Sequence, residues 1–172
     1  MVSAEMVQYA KETIQAVIDA RNEDPELADR LRVVVTSAGD PLPWAETIKP
    51  SGVKWFHVIP SVRHAQRCER AGVDAIIASG HEGGMHIAWE PVHTMVLLPA
   101  VVRAVKTPVI GAGGFCDGAT LAAALALGAE GVLMGTRFMA SKEAPVHPKI
   151  KEWLLQLGEA DTMLIQRSIR NE

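Results

Sequence analysis

The segment Ser79-Gly80-His81-Glu82-Gly83-Gly84-Met85-His86 places two imidazoles and a carboxylate among three glycines. Histidine is the side chain whose ordinary pKa suits proton transfer near neutral pH. Glycine lets the backbone turn tightly toward a ligand. His86 and His81 are therefore candidate proton carriers, with satisfaction of buried loop backbone as the alternative. Glu82 reads as a carboxylate that pins loop N–H groups. A metal centre is not expected, because glycines rather than a helix separate His81, Glu82 and His86.

Two other segments suit an anion. Pro108-Val109-Ile110-Gly111-Ala112-Gly113-Gly114 is an apolar run ending in glycines, and Gly131-Val132-Leu133-Met134-Gly135-Thr136-Arg137-Phe138 repeats the design. Each reads as a buried parallel strand opening into a loop whose N–H groups a ligand can approach without Cβ interference. A phosphate there would accept from residues 113–115 and 135–136, with the hydroxyl of Thr136 and the N-terminal dipole of the helix after Asp117 adding to the site. Tight strand–helix packing would explain one such glycine pair more readily than two in tandem.

The elements that must position these residues alternate along the chain. Apolar spacing predicts a helix over 4–20 and a short helical piece over 25–30. The run Arg32–Thr36 predicts a strand that turns at Ser37–Pro41. A short helix over 43–50 and a strand over Lys54–Ile59 follow, and Ser61 caps a helix that closes at Ala71-Gly72. Val73–Ala78 is the next strand, leading into the loop Ser79–Trp89. A helix carrying Val92, Met95, Val96, Val102 and Val105 should kink or break at Pro99. Asp117 caps a helix over 118–127 that is apolar nearly all round, so burial on more than one side is expected. A strand over 131–135 and a helix over 148–157, with Ile150, Trp153, Leu154 and Leu157 inward, complete the pattern.

Strand–helix alternation with continuous apolar strands gives an α/β fold with a parallel sheet. In a TIM (β/α)8 barrel, catalysis sits at the strand C-termini, and the loops after the last two strands hold phosphate. The two glycine segments then mark the seventh and eighth strands. Five βα units are visible, whereas a full barrel takes about 250 residues. The 172 residues thus read as a single domain, 1–172, forming the C-terminal portion of a barrel. An open doubly wound sheet is the competing architecture, but no G-x-G-x-x-G follows an early strand. His57, closing the strand before Ser61, is expected to point at the same mouth and contact substrate. His93 and Trp89 read as helix packing, and His64 and His147 as peripheral.

Composition narrows the function classes. A net charge of −3 with both signs interspersed leaves no nucleic-acid footprint. Arg63, Arg67 and Arg70 have helix spacing and read as a solvated face. No apolar stretch reaches membrane-spanning length, and the first residues lack a secretory pattern, so a cytoplasmic protein is expected. Two cysteines are too few for a disulfide scaffold. Cys68 reads as a small buried hydrophobe and Cys116 as a loop residue near a helix start.

Together the residues resemble the nitronate monooxygenase family, formerly 2-nitropropane dioxygenases, and the related FMN-dependent enoyl-ACP reductase II. The resemblance runs from about Arg32 to Ser141. It rests on Ser61-Val62-Arg63-His64-Ala65, Ala71-Gly72-Val73-Asp74-Ala75, Gly80-x-Glu82-x-Gly84-x-His86 and the two glycine segments, the second extended back to Leu127. It implies a TIM-barrel flavoprotein with FMN at the strand C-termini. Phosphate contacts then fall on Gly113, Gly114, Gly135 and Thr136, with Ser79 and Gly80 also beside the cofactor. His86 corresponds to the histidine that takes a proton from nitroalkanes. Met85 stands where the family has glycine, which narrows the substrate pocket, and Ser79 stands where many members carry glutamine.

The implied reaction oxidises an alkyl nitronate with dioxygen to a carbonyl compound and nitrite. The reductase branch instead uses NAD(P)H to reduce an enoyl thioester. An inactive partial barrel and a non-flavin phosphate-binding barrel are further readings. The implied partners are a small-molecule substrate and dioxygen, together with a homo-oligomer mate or a chain supplying the missing strands.

Overall fold

The computed structural model describes residues 4–37, 39–84, 87–88, 90 and 92–163. A long helix α1 (Ala4–Glu23) leads to α2 (Pro25–Arg30), whose first turn is capped by Asp24 accepting from the amides of Glu26 and Leu27. Then come β1 (Val33–Ser37), a short helix α3 (Ala45–Ile48) flanked by 3-10 turns, β2 (Lys54–Ile59) and α4 (Val62–Ala71). The chain continues through β3 (Ala75–Ser79), α5 (Thr94–Ala104), β4 (Val109–Ala112), α6 (Gly118–Ala126) and β5 (Gly131–Leu133). It closes with α7 (Thr136–Met139) and α8 (Pro148–Leu154). Ser61 caps α4, which ends on Gly72 at φ 74°, and Asp117 with Thr120 forms a capping box on α6.

The five strands are all parallel and lie in sequence order, β1-β2-β3-β4-β5. A doubly wound sheet reverses its strand order at a switch point. None occurs here, so the sheet is a run of barrel wall.

Pairing sets Thr36, His57, Ile76 and Val109 side by side. That face carries Trp55, Ile59 and Ala78 as well, and packs against Ile48, Ala65, Cys68, Leu97, Leu98 and Val101 of the helix layer. Sealing each large side chain in this layer is worth about 1.5–3 kcal/mol. The other face is less covered. Ile77 is buried at its centre, but Val35 and Leu133 near its two edges are 51% and 43% exposed. Its lower end opens on a cavity of about 470 Å³ bounded by Phe56, Ala75, Ile110 and the charged Lys54, Asp74 and Glu130.

Two sequence expectations fail and one is narrowed, each for a physical reason. The helix is not interrupted at Pro99, where Leu97, Leu98 and Val101 are buried on both sides of the proline. The carbonyl it orphans belongs to Met95, which is exposed to water. Helix α6 buries only Ala124, and Leu125 is half exposed. Its apolar composition is mostly alanine, which favours helix while carrying little area to bury. Ile150 and Trp153 of α8 are exposed rather than inward, since α8 follows the last strand and no other described layer covers it.

Candidate active site

The strands deliver Ser37, Ile59, Ser79, Ala112 and Leu133 to one rim. After β4 the chain passes through Gly113 and Gly114 at φ 90° and 81°, conformations that L side chains rarely adopt. After β5 it turns at Gly135 into α7, whose first turn has no side-chain cap. Arg137 stitches the two turns together, its Nε donating to the Cys116 carbonyl at 2.6 Å. Among the described residues, the amides of Gly113, Gly114, Phe115, Gly135 and Thr136 donate no hydrogen bond.

The glycines divide by role. A Cβ on Gly135 would meet nothing within 4 Å, and one on Gly114 would only touch Glu82 at 3.5 Å. These two leave their amides approachable. A Cβ on Gly113 would come within 2.8 Å of the Gly83 nitrogen, and one on Gly80 within 2.1 Å of the Thr94 hydroxyl. Gly113 is therefore small because it meets the main chain of the β3 loop, and Gly80 because it lies against Thr94 at the start of α5.

Carboxylates of the protein already occupy two helix starts. The Thr120 amide and hydroxyl hold Asp117 below its ordinary carboxylate range. The α6 dipole is thus answered internally, and beside it the turns after β4 and β5 offer amides with no partner among the described residues, together with Arg137. Glu82 serves α5 in the same way, accepting from the Thr94 amide at 2.9 Å and its hydroxyl at 2.8 Å, with His93 Nδ1 at 3.1 Å. Burial alone would raise the Glu82 pKa, but these donors outweigh it and lower it. The expected pinning role of Glu82 is what the geometry displays.

Ser79 lies half-buried at the end of β3, where a Cβ on Gly83 would press its hydroxyl at 2.7 Å. Gly80 donates to the Ala112 carbonyl at 3.0 Å, tying the β3 loop to β4. His81 meets His93 edge to face at 5.2 Å, and its Nδ1 has no partner among the described residues. Met85, His86 and Trp89 lie outside the described residues.

His57 corrects the sequence reading. It does not face the mouth but lies 1% exposed on the helix-facing side of β2. Trp55 Nε1 donates to the Thr36 hydroxyl at 2.8 Å, and that oxygen lies 2.6 Å from His57 Nδ1. The Gly39 backbone favours the charged ring, and burial outweighs it. A neutral ring that accepts the Thr36 hydroxyl proton at Nδ1 fits this chain of contacts. Burial pushes the His57 pKa down, which keeps the ring neutral. Arg67 corrects another expectation. Instead of lying on a solvated face, it pairs with Asp40 in the loop after β1 and holds that carboxyl below its ordinary range. Thr94 and the stitching role of Arg137 escaped the sequence reading. The only local signal for Thr94 was a small hydroxyl residue at a helix start.

The family profile of nitronate monooxygenases matches residues 3–171. The chain belongs to the nitronate monooxygenase family. Within that family its relatives are named for different chemistry. It is 45% identical over 120 residues to the (3aS,4S,5R,7aS)-5-hydroxy-7a-methyl-1-oxo-octahydro-1H-indene-4-carboxyl-CoA dehydrogenase of Rhodococcus jostii, covering 70% of this chain and 33% of that protein. It is 37% identical over 127 residues to a Staphylococcus aureus protein named "probable nitronate monooxygenase", covering 69% of this chain and 36% of the other. Among solved structures, FabK of Thermotoga maritima superimposes at a TM-score of 0.81 with 41% identity, over 95% of this chain and 48% of that one. Nitroalkane oxidase of Streptomyces ansochromogenes does so at 0.66 with 26% identity, over 81% and 40%. The chain spans about a third of the curated relatives and about half of FabK. The five strands are accordingly part of a TIM barrel.

The buried neutral His57 makes acid stability a test of this geometry. Unfolded histidine titrates near pH 6.5, and the folded site resists protonation. Stability present above that pH is therefore lost as pH falls below about 6.5 toward the lowered folded pKa. The urea midpoint should drop between about pH 7 and 5, and His57→Gln should remove part of that slope. An identical slope in the variant would contradict the assignment.

Proposed function

We propose that the chain carries the phosphate end of an FMN site in an oxidoreductase of nitronate monooxygenase type. The observation that supports this most is the set of amides at residues 113–115 and 135–136, on adjacent strand ends, that have no partner among the described residues. Gly113, Gly114, Gly135 and Thr136 would hold the FMN phosphate through main-chain donors, and the open space at Gly135 suits such a group. Ser79 and Gly80, at the end of β3, would border the rest of the cofactor.

When bound, FMN supplies the electron transfer by which an alkyl nitronate and dioxygen become a carbonyl compound and nitrite. This chain's residues bind, orient and move a proton. His86 would take the proton from the carbon of a neutral nitroalkane, and Met85 would limit the size of the group beside it. Glu82 keeps the loop's carboxylate turned to α5 rather than to the anion site. In this reading the protein is a cytoplasmic enzyme whose remaining barrel strands come from elsewhere in the polypeptide or from another chain.

A second reading, an FMN- and NAD(P)H-dependent reductase of enoyl thioesters, draws on the FabK likeness over 95% of the chain and on a relative named for a CoA thioester. Nitrite release from a nitronate under air favours the first reading; NAD(P)H oxidation driven by an enoyl thioester favours the second. A colourless protein retaining another phosphorylated ligand would favour a non-flavin barrel, and absence of any ligand an inactive one.

Two variants separate the roles. Gly135→Val places a side chain in open space without a strained backbone, so FMN affinity should fall at least about tenfold while the melting temperature holds. Unchanged affinity would remove Gly135 from the site. His86→Ala should lower turnover of neutral nitroalkanes about 10²–10⁴-fold with flavin content retained. Loss of flavin with no specific kinetic defect would make the histidine architectural.

A further inference from the structure

Thr94 opens α5, yet it touches three segments. Its amide and hydroxyl both reach the Glu82 carboxylate, and its hydroxyl also lies 2.9 Å from the Gly113 carbonyl and 3.5 Å from that of Ala112. The residue is 7% exposed, so water does not compete for these contacts. The turn held by Glu82 is closed by Gly83 donating to Gly80 at 2.9 Å, and His81 donates to Val92 at 3.0 Å. Gly80 and Gly113 carry no Cβ where either would strike this assembly.

We infer that Thr94 and Glu82 are positioning residues forming a strap that fixes the Gly80–Gly84 turn against the Gly113–Gly114 turn, and thereby sets the aim of the Gly113 and Gly114 amides. The argument runs through proton supply. The Thr94 hydroxyl has one hydrogen for two acceptors within 2.9 Å, Glu82 Oε2 and Gly113 O. Its amide independently binds the same Glu82 oxygen, so the carboxylate stays anchored while the hydroxyl is shared with the glycine turn. Removing the hydroxyl leaves the Gly113 carbonyl without that donor and cuts the only side-chain bond joining the two turns among the described residues. The carbonyl of Gly113 belongs to the same peptide group as the amide of Gly114. Whatever holds that oxygen orients that N–H. Ligand binding and turn placement are then coupled in both directions.

The coupling to ligand rests on the flavin reading; the strap itself does not. The test compares Thr94→Val, which keeps shape and amide, with Thr94→Ser, which keeps the hydroxyl, by amide hydrogen exchange without ligand and by FMN titration. Thr94→Val should speed exchange at the Gly80 and Gly83 amides about tenfold relative to the rest of the sheet and weaken FMN binding by a similar factor. Thr94→Ser should restore both to within about twofold. Unchanged exchange at Gly80 and Gly83, or a rise spread evenly over the chain, would overturn the strap. If the unaltered chain binds no FMN, the flavin reading fails while the exchange comparison still decides the strap.

Discussion

Two glycine turns meet backbone to backbone, and the rim of this sheet depends on that approach. A Cβ at Gly113 would drive the turns apart, one at Gly80 would strike Thr94, and the positive φ at Gly113 and Gly114 excludes most side chains independently. Because the turns are this close, one buried hydroxyl, that of Thr94, can reach both. Among the described residues, amides of the β4 turn and of the neighbouring β5 turn donate no hydrogen bond. Arg137 holds the second pair of segments together from the other side.

Charge is arranged so that this opening stays attractive to an anion. The N-termini of α5 and α6 lie near the rim, and each is met by a carboxylate from the protein, Glu82 and Asp117. Had the helix after β4 supplied the anion site by its dipole, Asp117 would be misplaced. Instead the free donors lie just before α6 and at the uncapped start of α7. The helix-facing core behind them is sealed by Trp55, Ile76, Leu98 and Val101, which gives the rim a rigid base. The opposite face, with Val35 and Leu133 exposed, is where the rest of a barrel would stand.

Much of this was legible in the sequence. Apolar runs bounded by glycines marked β4 and β5, and Ser61 and Asp117 marked helix starts through local capping chemistry. What stayed hidden depended on direction or distance. In β2 both alternating sets are apolar or aromatic, Trp55 and Ile59 against Phe56 and Val58, so period two could not say which way His57 points. Asp40 and Arg67 pair across a sequence gap that no spacing rule spans. The alanines of α6 signal helix propensity and carry little area to bury. Thr94 looked like any residue at a helix start, because its partners come from two other loops.

The central claim is that main-chain amides after β4 and β5 grip a phosphate. Amide proton–nitrogen NMR shifts during parallel titrations with FMN and with riboflavin test it most directly, since the two ligands differ only in that group. The account predicts that the signals of Gly114, Phe115, Gly135 and Thr136 move with FMN and stay nearly still with riboflavin. Equal shifts with both ligands, or none with FMN, would contradict it.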